Sequence, residues 1–300
     1  MRYFISLSFN GSPFSGWQIQ NNANSVQEEL QRALSLLLKE QITLTGAGRT
    51  DSGVNAINYI AHFDSNNSNS LLPDCLSTDY LSTSKGSESS NPDRCIEMES
   101  NIQKSVYIIY KLNAILNKAI RVNSIFRVND SMHARFDAKS RTYRYYIHTI
   151  KDPFGEQFSY YYPLHKLDFK KMNIAAAYFL GCKDFSSLQK AHSDTKTAIC
   201  TVTEAFWKEC DSPHPSTEEV ASPIVINNYI NEYYSGRYVF TVTADRFLRN
   251  MVRAMVGSLI EVGSGKRNPE WIAEMLSAKN RSSAGNSVPG HALFLTNIRY

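Results

Sequence analysis

The chain has few cysteines, and they are poorly spaced for cross-links or metals. Five cysteines are scattered along it, with no C-x-x-C pair: Cys75, Cys95, Cys182, Cys200 and Cys210. An odd number of distant cysteines, without histidines at zinc-ligand spacing, argues against a disulfide framework and against a zinc site. We therefore expect reduced thiols and no bound metal.

Long apolar runs and a strong charge of one sign are also missing. No stretch approaches the roughly eighteen apolar residues of a membrane helix, and the first residues lack the apolar core of a secretory signal. We therefore expect a cytoplasmic protein that does not contact membranes. Lys and Arg number 32 against 28 Asp and Glu, a net charge of +4. This balance permits a local basic patch for nucleic acid but does not establish one.

The composition is that of a folded protein with more than one domain. The chain has 300 residues, of which 42% are hydrophobic and 20% charged. At about 150 residues per domain, this length predicts two domains. Alternating and helical hydrophobic patterns follow one another in a similar order in both halves. The patterns predict an α+β protein made of two related sheets, with domains at 1–132 and 133–300.

The predicted elements mix strands with helices throughout. A capping box at Ser25 predicts the start of a helix of about four turns. Three more helices are predicted at 168–180, 248–262 and 269–278, and the predicted strands lie at 2–9, 42–45, 58–63, 125–128, 141–147, 199–207, 238–244 and 291–299.

Two polar segments interrupt these patterns. Residues 65–104 contain ten serines and five asparagines with few apolar anchors, which predicts a disordered or loosely ordered insertion. Residues 210–223 are rich in proline and acidic residues, and we interpret them as a second surface insertion.

The loop from Gly46 to Gly53 is the first candidate for chemistry. It places three glycines, Arg49 and Asp51 within eight residues. A dinucleotide loop would need a third glycine where Asp51 stands, followed by a helix, and a phosphate loop would need G-K-S/T. Both nucleotide interpretations fail. Taken alone, Asp51 also fits a tight turn in which its carboxylate accepts backbone hydrogen bonds.

The segment Gly48-Arg49-Thr50-Asp51-Ser52-Gly53-Val54 resembles the G-R-T-D-x-G-V signature of the TruA family of tRNA pseudouridine synthases. The resemblance continues, in the family's order, over nearly the whole chain outside the two insertions. It includes Asn10-Gly11, Gly16-Trp17-Gln18, Ser25-Val26-Gln27, His133-Ala134-Arg135-Phe136, Tyr143-Arg144-Tyr145 and Phe247 to Arg253. One departure is Asn55, which stands where the family usually has histidine.

This resemblance implies a fold and an activity. The fold would be the pseudouridine-synthase fold, with two ferredoxin-like or RRM-like halves whose antiparallel sheets are flanked by helices and meet at an active-site cleft. The activity would be isomerisation of uridine to pseudouridine at positions 38, 39 and 40 of the tRNA anticodon arm. The enzyme would need no cofactor and would act as a homodimer, with the tRNA crossing both subunits.

The resemblance also implies a role for each of five residues. Asp51 would be the catalytic carboxylate, either as nucleophile or as base and electrostatic partner, and Arg253 would form an ion pair with it. Tyr143 would stack on the flipped uracil and assist proton movement. Arg49 would grip the phosphate or sugar of the flipped nucleotide, and Arg249 would contact RNA.

The residues themselves leave simpler interpretations open. Arg249, Arg253 and Gly257 share one helical face by spacing, which also fits a solvated basic face. Alternation places Tyr143 with Tyr145 and Ile147 on one face of a strand, where a core tyrosine is expected. A non-catalytic RNA-binding module would explain basic and aromatic residues but not Asp51. A zinc nucleobase deaminase is excluded, because its H-x-E and P-C-x-x-C elements are absent.

Overall fold

The computed structural model describes residues 1–66, 72, 92–163, 167–190, 197–210 and 236–300. Within these ranges it contains nine strands and five α-helices. The predicted α+β class is therefore confirmed. The predicted insertion at 210–223 lies outside the described residues from residue 211 onward. Most of the predicted insertion at 65–104 also lies outside them. No described helix is long and apolar enough to span a membrane.

The chain divides into two compact units. Unit 1 comprises Met1–Lys139 together with Thr296–Tyr300, and unit 2 comprises Ser140–Leu295. The division falls between Lys139 and Ser140, and the predicted domain boundary at 132/133 lies a few residues earlier in the same connection between two strands. Whether this division is a boundary between domains stays a prediction.

Unit 1 contains four complete strands and two helices. The strands are β1 (Arg2–Phe9), β2 (Thr45–Gly46), β3 (Asn55–Asp64) and β4 (Ile120–Val128), and the helices are α1 (Val26–Leu38) and α2 (Pro92–Ile115). Strand β1 is central, because β3 and β4 both pair with it in antiparallel fashion. Both of its faces are buried, with Tyr3 on one face and Phe4 on the other.

Helix α1 begins where the sequence predicts. The Ser25 side chain accepts a hydrogen bond from the Glu28 backbone N–H at 3.2 Å, which caps the helix. The side chains that α1 buries follow the predicted spacing: Val26, Leu30, Ala33, Leu34 and Leu38.

The predicted strand at Ile42–Thr45 is wrong in its extent, since only Thr45 and Gly46 pair with β3. Side chains of α1 take the hydrogen bonds that a neighbouring strand would have made. Ser35 Oγ accepts from the Ile42 N–H and Gln31 Oε1 from the Leu44 N–H, both at 3.0 Å. Extended residues are therefore held here by a helix and not by a sheet.

The predicted insertion at 65–104 needs a correction at its C-terminal end, because α2 begins at Pro92. Proline is favoured in the first turn of a helix, where its missing N–H costs nothing. The residues that follow include the helix formers Glu97, Met98, Glu99 and Gln103. The high serine and asparagine content of the whole segment concealed this signal.

Unit 2 is built in the same manner around strand β8 (Arg237–Ala244). Its strands β5 (Ser140–His148) and β7 (Val202–Glu209) pair with β8 on either side in antiparallel fashion, and β6 (Tyr160–Tyr161) pairs with β5. Its helices are α3 (Phe169–Gly181), α4 (Met251–Gly263) and α5 (Trp271–Ser277). The last strand, β9 (Leu293–Arg299), begins in unit 2 and ends in unit 1.

Two details of unit 2 bear on the sequence predictions. The described side chains of Cys182, Cys200 and Cys210 form no disulfide, and the reduced state of all five cysteines stays a prediction. Helix α4 begins at Met251 and not at residue 248, because Asn250 takes a left-handed conformation with φ of 68°. Arg249 therefore precedes the helix and does not belong to its basic face.

A buried histidine in unit 1 makes stability depend on pH. Burial, followed by the charges of Arg2 and His133, lowers the pKa of His62 from 6.5 to about 4. Between these values the unfolded chain binds a proton that the folded chain does not, so stability falls as the pH drops. NMR titration of the His62 ring should give a midpoint near 4.

His62→Asn supplies the control for this titration. Asparagine cannot titrate, yet its Oδ1 stands at the same distance along the side chain as His62 Nδ1 and can still accept the hydrogen bond from the Ala134 N–H. Urea denaturation at neutral and mildly acidic pH should show a weaker loss of stability in this variant. A His62 midpoint at or above the ordinary histidine value would contradict the prediction.

Candidate functional site

Asp51 lies in a tight turn between β2 and β3. We call residues Gly48–Val54 the Asp51 loop. The Val54 N–H donates to the Asp51 carbonyl at 3.2 Å, and Gly53 has a φ of 75°, which closes the turn. The Asp51 residue is half-buried. The carboxylate is thus carried by a short, closed turn that leads into strand β3.

A second loop packs its backbone against this turn. Residues Asn10–Trp17, the Gly11 loop, form the first part of the connection between β1 and α1. A Cβ added at Gly11 would lie 2.2 Å from the Val54 carbonyl oxygen, and one added at Gly16 would lie 2.3 Å from that of Thr50. Gly16 also has a φ of 104°. Only glycine allows this approach, which explains two of the glycines quoted in the resemblance.

Asn55 joins the two loops by a buried hydrogen bond. Its Oδ1 accepts from the Gly11 N–H at 2.8 Å, and its side chain is almost completely buried. The Ser52 hydroxyl adds a further bond to the Phe14 carbonyl at 3.3 Å. The asparagine at this position, a departure from the expected histidine, therefore satisfies a backbone donor beside the Asp51 loop.

Aromatic side chains hold the other end of the Asp51 loop. The Tyr59 hydroxyl bonds both the N–H and the carbonyl of Gly48. Trp17 stacks on the Tyr59 ring with centroids 4.1 Å apart. The sequence analysis assigns no role to Tyr59. The position of Tyr59 on the strand that follows the glycine-rich loop is the one feature of the sequence that indicates a contact with that loop.

In unit 2, Arg253 lies on helix α4 and is half-buried. Its Nε donates to the Val288 carbonyl at 2.7 Å, and the Val288 N–H donates to the Arg253 carbonyl at 3.3 Å. Residues Ala284–Pro289, the Val288 segment, therefore fix the guanidinium through its Nε–H.

Small residues let the Val288 segment lie directly on α4. A Cβ at Gly257 would lie 1.7 Å from the Asn286 carbonyl oxygen, and the Gly285 N–H donates to Ser258 Oγ at 3.0 Å. The missing side chain of Gly257 therefore gives room to the backbone of this segment.

Strand β5 places the two tyrosines in different environments. Tyr145 is fully buried, and its hydroxyl donates to the Pro289 carbonyl at 3.0 Å. Burial raises the pKa of Tyr145 well above its usual range. Tyr143 is only half-buried, and its ring meets the Phe247 ring edge-on at 5.0 Å. The predicted alternation is therefore present, with Tyr143 at its more open end.

The remaining predicted residues are two arginines at the surface. Arg49 is exposed in the Asp51 loop, next to the carboxylate in sequence. Arg249 is exposed in unit 2, where its carbonyl accepts from the Lys190 N–H at 3.1 Å. Asp51 and Arg49 thus belong to unit 1, while Tyr143, Arg249 and Arg253 belong to unit 2.

Comparison with known proteins extends the similarity over both units. A family model described as tRNA pseudouridine synthase matches residues 175–300. The chain is 40% identical to tRNA pseudouridine synthase A of Parabacteroides distasonis over 299 residues, which cover 100% of this chain and 96% of that protein. It is 40% identical to the protein of the same name from Bacteroides fragilis over 300 residues, which cover 100% of this chain and 96% of that protein. It is 30% identical to that of Bacillus subtilis over 304 residues, which cover 100% of this chain and 99% of that protein.

Gly16→Ala tests whether the loop contact is required for folding. Alanine at a φ of 104° is strained, and its Cβ would collide with the Thr50 carbonyl oxygen. We expect the free energy of unfolding to fall by at least about 2 kcal/mol, measured by urea denaturation followed by circular dichroism.

Gly48→Ala is the matched control within the Asp51 loop. A Cβ at Gly48 has no atom within 4 Å. This variant should stay within about 0.5 kcal/mol of the unsubstituted chain. If both substitutions changed the free energy of unfolding equally, the close approach of the two backbones would not be important for stability.

Proposed function

Since this chain belongs to the family of tRNA pseudouridine synthase A and isomerises uridine to pseudouridine in tRNA, we propose that it acts at positions 38, 39 and 40 of the anticodon stem-loop. The isomerisation breaks the N1–C1′ bond, turns the uracil and joins C5 to C1′. No group is gained and no redox change occurs, so we propose that it proceeds without a cofactor.

We propose Asp51 as the catalytic carboxylate. Positive charge develops at C1′ when the glycosidic bond breaks, and a carboxylate at the sugar can stabilise it or attack C1′ directly. The observation that carries this assignment is the close packing of the Gly11 loop on the Asp51 loop. Two glycine contacts and the Asn55 bond fix the backbone that bears the carboxylate. A fixed carboxylate is what electrostatic stabilisation of a transition state requires.

Arg253 is the proposed ion-pair partner of Asp51. Its Nε–H is committed to the Val288 carbonyl, which sets the plane of the guanidinium. The terminal nitrogens of the same group would meet the carboxylate in a bidentate pair. The proposal therefore requires unit 1 and unit 2 to act on the same nucleotide.

Three further residues have proposed roles in holding the RNA. Tyr143 stacks on the uracil once the base has left the helical stem, because the glycosidic atoms cannot be reached inside a stack. Its half-buried ring suits this role better than the fully buried ring of Tyr145. Arg49 and Arg249, both exposed, contact phosphate or sugar.

The finer features of the fold and assembly also belong to this proposal. Both units would be ferredoxin-like halves, in keeping with the antiparallel strand pairs and the helices that each contains. The protein would act in the cytoplasm as a homodimer. The competing candidate is an RNA-binding relative without catalysis, and a constrained Asp51 loop is the observation that disfavours it.

Tritium release from tRNA carrying [5-³H]uridine tests the activity and Asp51 together. Formation of the C5–C1′ bond sends the C5 hydrogen to solvent, so each turnover releases tritium. Asp51→Asn should lower the rate at least about a thousandfold while the protein stays folded and binds tRNA. Sequencing for pseudouridine in the product would locate the modified positions.

Asp168→Asn is the control for this substitution. Asp168 caps α3 by accepting from the Lys171 N–H at 3.0 Å, and asparagine is an equally good cap. Its rate should match that of the unsubstituted chain. Binding of many tRNAs without tritium release, before any substitution, would instead favour the non-catalytic relative.

Arg253→Lys tests the proposed role of the guanidinium. Lysine keeps the charge but loses both the Nε–H bond to Val288 and the bidentate geometry. We expect kcat to fall about tenfold to a hundredfold in the tritium assay, with KM for tRNA nearly unchanged.

Arg267→Lys provides the comparison, since Arg267 is an exposed arginine of unit 2 that pairs with Glu261 at 3.7 Å. Surface pairs of this kind contribute little, so its kinetics should not change. A normal kcat in Arg253→Lys would remove Arg253 from the proposed catalytic pair.

A further inference from the structure

A short turn in unit 1 displays a large apolar ring to solvent. Residues His133–Asp137, the Phe136 turn, follow β4. Phe136 is 74% exposed, although Ala134 and Ala138 on either side of it are buried. Exposed single apolar residues are common, so exposure alone carries no inference. The contacts that hold this ring in place are what distinguish it.

The turn is anchored to the core through its second residue. Ala134 is completely buried beside Phe4 and Val128. Its N–H donates to His62 Nδ1 at 3.1 Å, and its carbonyl accepts from the Tyr300 hydroxyl at 2.7 Å. The base of the Phe136 turn is therefore fixed from both sides.

The tip of the turn is ordered by hydrogen bonds to one imidazole. His133 Nδ1 accepts from the Arg135 N–H at 3.1 Å and from the Phe136 N–H at 3.2 Å. The Asp137 carboxylate accepts from the His133 N–H at 2.7 Å. The backbone that carries Phe136 is consequently set before any ligand binds.

The Phe136 ring has one covered side. Its centroid lies 4.3 Å from that of the His133 ring, and the Arg135 guanidinium lies 5.9 Å from it. A rigid aromatic ring beside an arginine is the arrangement by which proteins bind unpaired nucleotides. The base stacks on the ring, and the cation meets the phosphate.

We propose that the Phe136 turn binds one unpaired nucleotide of the tRNA, its base stacked on Phe136 and its phosphate at Arg135. This inference rests on the tRNA substrate of the proposed function. It adds a contact outside the five residues assigned to catalysis and to RNA binding above.

The charges around Phe136 favour RNA over a second copy of the chain. Arg135 lies beside the ring, and Asp137 and Lys139, which follow closely in sequence, are exposed as well. The centre of a protein interface is poor in charged residues and rich in contiguous apolar surface. An exposed ring in a stretch of charged residues lacks that apolar surface, whereas a ring beside an arginine suits a base and its phosphate.

Filter binding of full-length tRNA measures the contact. Phe136→Ala should raise Kd about tenfold, the loss of one base stack. Phe136→Trp should restore the affinity, whereas Phe136→Leu should not, because only an aromatic ring stacks. Arg135→Gln should lower the slope of log Kd against log salt concentration by about one unit, the loss of one phosphate contact.

Phe154→Ala is the matched control, because Phe154 is 82% exposed and lies in unit 2. Its affinity for tRNA should equal that of the unsubstituted chain. Both substitutions remove an exposed ring, so neither should change the thermal midpoint.

Three results would overturn the inference. Phe136→Ala and Phe154→Ala with equal Kd would show that the ring does not contact RNA. Equal affinity of the Leu and Trp variants would show that stacking is not the interaction. A shift in sedimentation of Phe136→Ala towards a smaller species would assign the ring to self-association. Tritium release by the unsubstituted chain, measured in parallel, separates these results from a failure of the proposed function.

Discussion

The site in unit 1 depends on a contact between two backbones with no side chain between them. Gly11 and Gly16 bring one loop against Val54 and Thr50 at distances that leave no space for a Cβ. The same loop is tied to the first turn of α1, where the Val26 N–H donates to the Gly16 carbonyl at 3.2 Å. The cap at Ser25, the glycine contacts and the Asp51 turn therefore form one continuous structure. Each of them helps to fix the backbone that carries the carboxylate.

Unit 2 uses the same physical device for a cation. Gly257 lets the Val288 segment lie on α4, and that segment then accepts the Nε–H of Arg253. Tyr145 holds the end of the segment through the Pro289 carbonyl. In both units, contacts made by the main chain limit the positions that the charged residue can take. In the proposed reaction, groups fixed in this way would not need to reorganise when charge develops on the substrate, which would lower the barrier.

Much of the fold could be predicted from hydrophobic periodicity, and the errors have local physical causes. The start of α1 follows from its capping box. The strand at Ile42–Thr45 was overestimated because side chains of α1, 7 residues or more away in sequence, take its hydrogen bonds. The start of α4 was placed too early because the left-handed conformation of Asn250 leaves no mark in the apolar pattern. Periodicity reports which residues face the core; it does not report what satisfies each N–H.

Some site residues can be identified from a sequence motif, whereas the role of others is evident only from their contacts in the structure. Asp51 and Arg253 stand out by resemblance, but Asn55 and Tyr59 become meaningful only when their partners are known. In the sequence, Asn55 is one polar residue among many. In the structure its Oδ1 accepts from the Gly11 N–H, which avoids the desolvation cost of leaving that buried donor unpaired.

In the Phe136 turn, buried contacts serve an exposed residue. Its buried part, Ala134, makes the anchoring bonds, so that its exposed part can remain both ordered and uncovered. Order without coverage is the condition under which a surface ring binds a base without a large loss of conformational entropy.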